Sequence, residues 1–182
     1  MHTSPRLARL SYGNDKRLGA KGSPALTAIL AAVDNSDFAY AVMQRAVQLA
    51  LLRKSDLVIL SVVKPGFTGR DTMTGEDEKL ASFHRQLIYR CFPPDGITVE
   101  STSSPEAVYR AASNGNMRIE SKIEYGDPVD KICDVAERMK AELVIIGNRG
   151  LGAAGTLVLG SVSDDVVRKC SRSVMVVKDE VS

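Results

Sequence analysis

The residues in this chain best suited to chemistry are glycines and hydroxyls rather than a set of acids and bases. From Gly147 to Ser163 the sequence runs Gly-Asn-Arg-Gly-Leu-Gly-Ala-Ala-Gly-Thr-Leu-Val-Leu-Gly-Ser-Val-Ser. Glycines let main chain approach a polyanion closely and adopt the backbone angles of an amide nest. Ser161 and Ser163 add hydroxyls, and a helix starting beside them would present free N–H groups to a phosphate. Arg149 supplies a cation that can pair with phosphate oxygens.

Three phosphate-binding patterns can be compared with this stretch. A P-loop needs G-x-x-x-x-G-K-[ST], and no lysine lies between Gly147 and Arg168, so that pattern is excluded. A dinucleotide fingerprint, G-x-G-x-x-G, is present at Gly150, Gly152 and Gly155, with Asp179 further on. There, however, Gly160 would interrupt the helix that the fingerprint must open. The third spacing, G-x-x-G-x(9)-G-[ST], is met in full at Gly147, Gly150, Gly160 and Ser161.

Other chemistries find less support. Ser161 lacks a G-x-S-x-G context and a His/Asp pair, which disfavours a hydrolase triad. The two histidines are His2 and His84; His84 has no partner at catalytic spacing and reads as a surface or satisfied residue. Cys91, Cys133 and Cys170 are odd in number and form no C-x-x-C pair, which excludes a disulfide scaffold and suits a reducing compartment. Cys133 and Cys170 fall in helical segments and read as small buried hydrophobes. Glu76-Asp-Glu78 reads as helix-start charge and not as a metal site.

The 182 residues, 44% hydrophobic and 25% charged, suit one globular domain, and no apolar run approaches the length of a membrane span. The 24 basic and 22 acidic residues leave a net charge of +2, but residues 1–26 carry Arg6, Arg9, Lys16, Arg17 and Lys21 against Asp15 alone. The rest is therefore slightly acidic and has no Trp, which argues against a nucleic-acid groove. Residues 1–26 read as a leader, either disordered or an organellar transit peptide, since they lack the apolar core of a secretory signal. Without import, the expected location is cytoplasmic.

From residue 27 the pattern becomes that of alternating strands and helices. Thr27 to Val33 is an apolar run ending at Asp34-Asn-Ser36, which signals a buried strand followed by a helix start. Phe38, Ala41, Val42, Ala46, Leu49 and Ala50 recur at helical spacing, and Asp56 to Val63 is a second strand rich in branched residues. A helix around Leu80 to Cys91 stops at Pro93-Pro94. Ile97 to Glu100 reads as a short extended piece, and Pro105 to Ser113 as a short helix ended by Asn114-Gly115. Met117 to Tyr125 is a third strand, Gly126-Asp127-Pro128 a turn, cap and first-turn proline, and Leu143 to Ile146 a fourth strand. Ser163 to Lys169 then makes a helix and Val174 to Val177 a fifth strand. The pattern predicts a single doubly wound α/β domain over residues 27–182, with five mainly parallel strands and helices on both faces. Such sheets bind ligands beyond the carboxyl ends of their strands, where the strand order reverses. Here those ends are Asp34, Ser61 to Val63 and Gly147.

Taken together, the glycine spacing, Ile29-Leu-Ala-Ala-Val-Asp34, Gly126-Asp127-Pro128, Gly160-Ser-Val-Ser163 and Val174-Met-Val-Val177 resemble the ATP-binding members of the universal stress protein family over residues 27–178. The resemblance implies a nucleotide site. Asp34 and the backbone at Ala32 and Val33 would face adenine and ribose, with Val62 bonding the base through its main chain. Gly147 and Gly150 would admit ribose and phosphates, while Gly160, Ser161, Val162 and Ser163 would bind phosphate oxygens. Arg149 occupies a variable position of the motif. Residues 151–159 contain no basic side chain where similar proteins often place one, so the preference for ATP over ADP or AMP stays open. The resemblance further implies ATP, alone or with Mg2+, as ligand, a stress-signalling role with at most slow hydrolysis, and a homodimer formed through the last strand. Two other readings are a dimeric stress adaptor of the same fold that binds no nucleotide, and a true ATPase.

Overall fold

A computed structural model describes residues 27–64, 73–103, 106–111, 117–148 and 160–178. The predicted leader, residues 1–26, lies outside the described residues, as do Arg149 and Gly150. Among the described residues the elements are β1 (Ala28–Ala32), α1 (Ala39–Arg53), β2 (Asp56–Val63), α2 (Met73–Cys91), a short 3-10 turn (Pro94–Gly96), β3 (Ile97–Ser103), β4 (Glu106–Ala111), β5 (Met117–Tyr125), α3 (Pro128–Arg138), β6 (Leu143–Gly147), α4 (Ser161–Lys169) and β7 (Ser173–Val177). None of these helices is long and apolar enough to cross a membrane.

The elements form one mixed sheet in the order β3-β4-β5-β2-β1-β6-β7. The five expected strands are its parallel part: β1 pairs with β2 and β6, β2 with β5, and β6 with β7. Their order reverses at β1, where β2 and β5 extend one way and β6 and β7 the other. The expectation of five strands is corrected to seven, because β3 and β4 add an antiparallel hairpin at the β5 edge.

That hairpin includes the stretch expected to be a helix over Pro105 to Ser113. Instead, Glu106–Ala111 is strand β4, and its alternation explains why. Ala107, Tyr109 and Ala111 belong to one hydrophobic cluster, with Tyr109 and Ala111 buried, while Arg110 pairs outward with Glu100. Alanine favours helix locally, but pairing Tyr109 with Ile119 and Ala111 with Met117 extends the core by a strand's width. Tertiary pairing overrides the local preference.

Two apolar clusters, one on each face of the sheet, hold the fold. Ile29, Ala31, Leu57 and Ile59 pack with α1 and α2; their strand neighbours Leu30, Ala32, Val58 and Leu60 pack with α3 and α4. β1 and β2 are thus apolar on both faces, as a central parallel strand must be. α3 contributes Val129, Ile132, Val135 and Ala136, which fall on one side of a helix. Each such Val or Ile contributes about 1.5–3 kcal/mol when fully buried.

A buried hydrogen-bonded chain crosses the α1–α2 face. The Ser61 hydroxyl donates to the Val33 carbonyl at 2.8 Å, so it must accept from His84 Nε2, also at 2.8 Å. His84 Nδ1 is then the unprotonated nitrogen and accepts from the Ser121 hydroxyl at 2.7 Å. His84 is fully buried, and burial lowers its pKa to about 4. Of the two expectations for this residue, the satisfied one holds. Its role is to tie α2 to β2, β5 and the end of β1.

Candidate nucleotide site

The carboxyl ends of β1, β2 and β6 open into a cavity of about 580 Å3, closed on its sides by α1, α3 and the start of α4. It sits where the strand order reverses, the position expected for a ligand in a doubly wound sheet.

Its floor and flanks are apolar. Ala32 and Leu60 come from the sheet, Val62 from the end of β2, Ile146 from β6, and Pro128 and Ile132 from α3. The α3 contribution follows from local chemistry. Gly126 holds a φ of +141°, which L side chains rarely adopt, and a Cβ there would lie 2.9 Å from Lys131 Cε. Asp127 then caps the helix, its carboxylate accepting from the N–H groups of Val129 and Asp130, and Pro128 occupies the first turn with its preset φ.

The polar end is built from the first turn of α4. Gly160 is the helix N-cap and has no side chain to satisfy the amides that follow. The first intrahelical bond runs from Asp164 N–H to the Gly160 carbonyl, so the amides of Ser161, Val162 and Ser163 precede the helical ladder. These groups and the helix dipole favour an anion. Gly160 N–H donates to the Asn148 carbonyl at 2.7 Å, and Asn148 N–H donates to Val177, which pins the two ends of the glycine-rich segment beside β7. Gly160 has φ −64° and ψ 151°, angles open to any residue. Its lack of a side chain is therefore not required by backbone strain.

Nine of the predicted site residues line this one cavity: Ala32, Val33 and Asp34 after β1, Val62 on β2, Gly147 on β6, and Gly160, Ser161, Val162 and Ser163 at α4. The structure also refines two roles. Asp34 does not cap α1, whose N-cap is Phe38 with no side-chain bond; instead its carboxylate accepts from Ser36 N–H and Ser36 Oγ in a tight turn. The Ser163 hydroxyl is buried and donates to the Gly160 carbonyl at 2.9 Å, leaving the exposed Ser161 as the accessible hydroxyl.

Sequence reasoning missed Lys64, the basic side chain among the described cavity-lining residues, and also Ser36 and Phe38. The only sequence signal for Lys64 was its place as the first polar residue after β2, at the strand end that faces the switch point. Among the described residues no group of His, Cys, Asp and Glu is arranged to hold a metal ion.

Comparison with known proteins agrees with this architecture. The model of the universal stress protein family matches residues 26–178. A universal stress protein of Mycobacterium tuberculosis is 28% identical over 153 residues, spanning 84% of this chain and 97% of its own. Among solved structures, a universal stress protein in complex with cAMP superposes with a TM-score of 0.58 at 23% identity, covering 85% of this chain and 98% of its own. The universal stress protein of Archaeoglobus fulgidus in complex with dAMP gives 0.56 at 21% identity, covering 84% and 97%. With its parallel strands, its reversal at β1 and its full G-x-x-G-x(9)-G-[ST] spacing, the chain belongs to the universal stress protein family.

Proposed function

We propose that this protein binds an adenine nucleotide, ATP foremost, in the cavity between β1, β2, β6 and α4, and serves as a nucleotide-dependent signalling module in a stress response. One observation carries the reading. A cavity of about 580 Å3 with apolar flanks is also lined by the uncapped first turn of a helix. Adenine would lie among Val62, Pro128 and Ile132 and bond the Val62 main chain. The ribose would sit near Asp34 and Gly147, and phosphates would meet the amides of Ser161, Val162 and Ser163. Arg149 and Gly150 would complete the phosphate end, with Lys64 as a further positive charge on the wall. Two solved proteins of this fold, described in complex with cAMP and dAMP, support the adenylate class.

Turnover is expected to be slow. Asp34, the carboxylate among the described lining residues, already accepts two bonds from Ser36 and is not set up as a general base. Mg2+, if carried in, would come with the nucleotide phosphates.

Isothermal titration of the full chain with ATP, ADP and AMP tests the proposal. It predicts saturable 1:1 binding with a dissociation constant of roughly 1 μM to 1 mM, about −8 to −4 kcal/mol, and loss of affinity as phosphates are removed. No heat with any adenylate at millimolar concentration would leave the adaptor of the same fold as the better reading. Steady Mg2+-dependent hydrolysis at an enzyme's rate would favour a true ATPase.

A further inference from the structure

We propose that Cys133 and Cys170 are a reversible redox modification site, closing to a disulfide that clamps α3 to the end of α4. Three thiols permit three intramolecular pairings, and the sheet excludes two of them. Cys91 ends α2 and packs in the α1–α2 cluster, whereas Cys133 and Cys170 both pack in the α3–α4 cluster on the opposite face. Cys133 and Cys170 share the α3–α4 packing, near enough for Cys170 to act on the Cys133 thiol.

The same seam is held independently of sulfur. Glu137, one helical turn beyond Cys133, accepts from the Ser171 hydroxyl and takes the Arg172 guanidinium through Nε at 3.1 Å and Nη2 at 2.9 Å. The Cys170 N–H donates to the Val166 carbonyl at 2.9 Å, fixing that residue at the end of α4. The Glu137 bonds therefore hold α3 and the end of α4 together at the seam where both cysteines pack. Both cysteines are only partly buried, so a small hydroperoxide can reach them.

The chemistry balances with hydrogen peroxide as the oxidant. The Cys170 thiol is oxidised to a sulfenic acid as peroxide is reduced to one water. The Cys133 sulfur then attacks that sulfur, its proton leaves with the sulfenic hydroxyl as a second water, and the S–S bond forms. Burial pushes the Cys133 thiol up to about 11, which slows its own oxidation by peroxide. The closed ring spans the whole glycine-rich segment and the phosphate-facing turn of α4, so oxidation restrains the unfolded chain and the two helices that flank the cavity.

The test treats reduced, folded, full-length protein with hydrogen peroxide, then alkylates, digests and weighs the peptides, a readout independent of any nucleotide. The expected result is a Cys133–Cys170 cross-linked peptide lighter by two hydrogens, with Cys91 still alkylatable, reversal by dithiothreitol, and a thermal midpoint several degrees higher when oxidised. C91S should keep the cross-link, and C133S and C170S should each abolish it while retaining the circular dichroism of the parent. A cross-link to Cys91, linkage between chains alone, sulfinic acid without a cross-link, or a midpoint unmoved by the bond would overturn the proposal.

Discussion

At the residue scale, one side chain and one missing side chain carry the predictions. Because Gly160 has backbone angles that any residue can adopt, Gly160→Leu should fold normally yet place its side chain against the amides of Ser161 and Val162. The expected outcome is at least a tenfold loss of nucleotide affinity, about 1.4 kcal/mol, with a midpoint lowered by only a few degrees because Leu is a poorer N-cap than Gly, checked by titration alongside thermal unfolding. His84 makes a different prediction. Its folded pKa of about 4 lies below its unfolded value, so the unfolded chain binds the extra proton first as pH falls. Stability from this group is whole above about pH 6.5 and is lost on acidification toward pH 4, by on the order of 3 kcal/mol at most. Denaturant titrations between those limits should show stability rising with pH, and His84→Gln should flatten that slope. The glycines and serines were readable because their spacing has few meanings. Lys64 was not, because a lone lysine after a strand looks like any solvated charge.

At the element scale, α3 sets the apolar flank of the cavity, and Asp127 starts α3. Asp127→Ala removes the acceptor of the Val129 and Asp130 amides and should cost about 1 kcal/mol. That corresponds to a midpoint lowered by roughly 2–4 °C, measurable by calorimetry, with a smaller effect on nucleotide affinity. This cap was legible, since Gly-Asp-Pro names a turn, an acceptor and a preset φ in three letters. β4 was not. Glu-Ala-Val-Tyr-Arg-Ala alternates as a strand, but its alanines also suit a helix, and only the partners Ile119 and Met117 decide between them. Local sequence states such a preference weakly when two of the three inward residues are alanine.

At the scale of the whole molecule, the two sheet edges differ in what they invite. β3 is interrupted by a bulge between Val99 and Ser101 and carries the Glu100–Arg110 pair, features that blunt an edge against further pairing. β7 is short, apolar and half-buried along Val174 to Val177, and among the described residues no strand lies beyond it in the sheet order. We propose that β7 pairs with a second copy across a two-fold axis. Light scattering at micromolar concentration should give twice the chain mass, and a monomeric mass would contradict it. The parallel part of the sheet was legible because its strands are continuous apolar runs separated by amphipathic helices. The order of pairing at β1, which creates the cavity, was not legible, because the same alternation fits more than one doubly wound strand order.

The central claim is that the first turn of α4 grips a polyphosphate through its amides. The most direct measurement is a crystal structure of the full chain grown with ATP. The account predicts phosphate oxygens within hydrogen-bonding distance of the Ser161, Val162 and Ser163 N–H groups, with the base packed against Ile132. A cavity filled by the protein's own side chains, or a nucleotide bound away from α4, would contradict it.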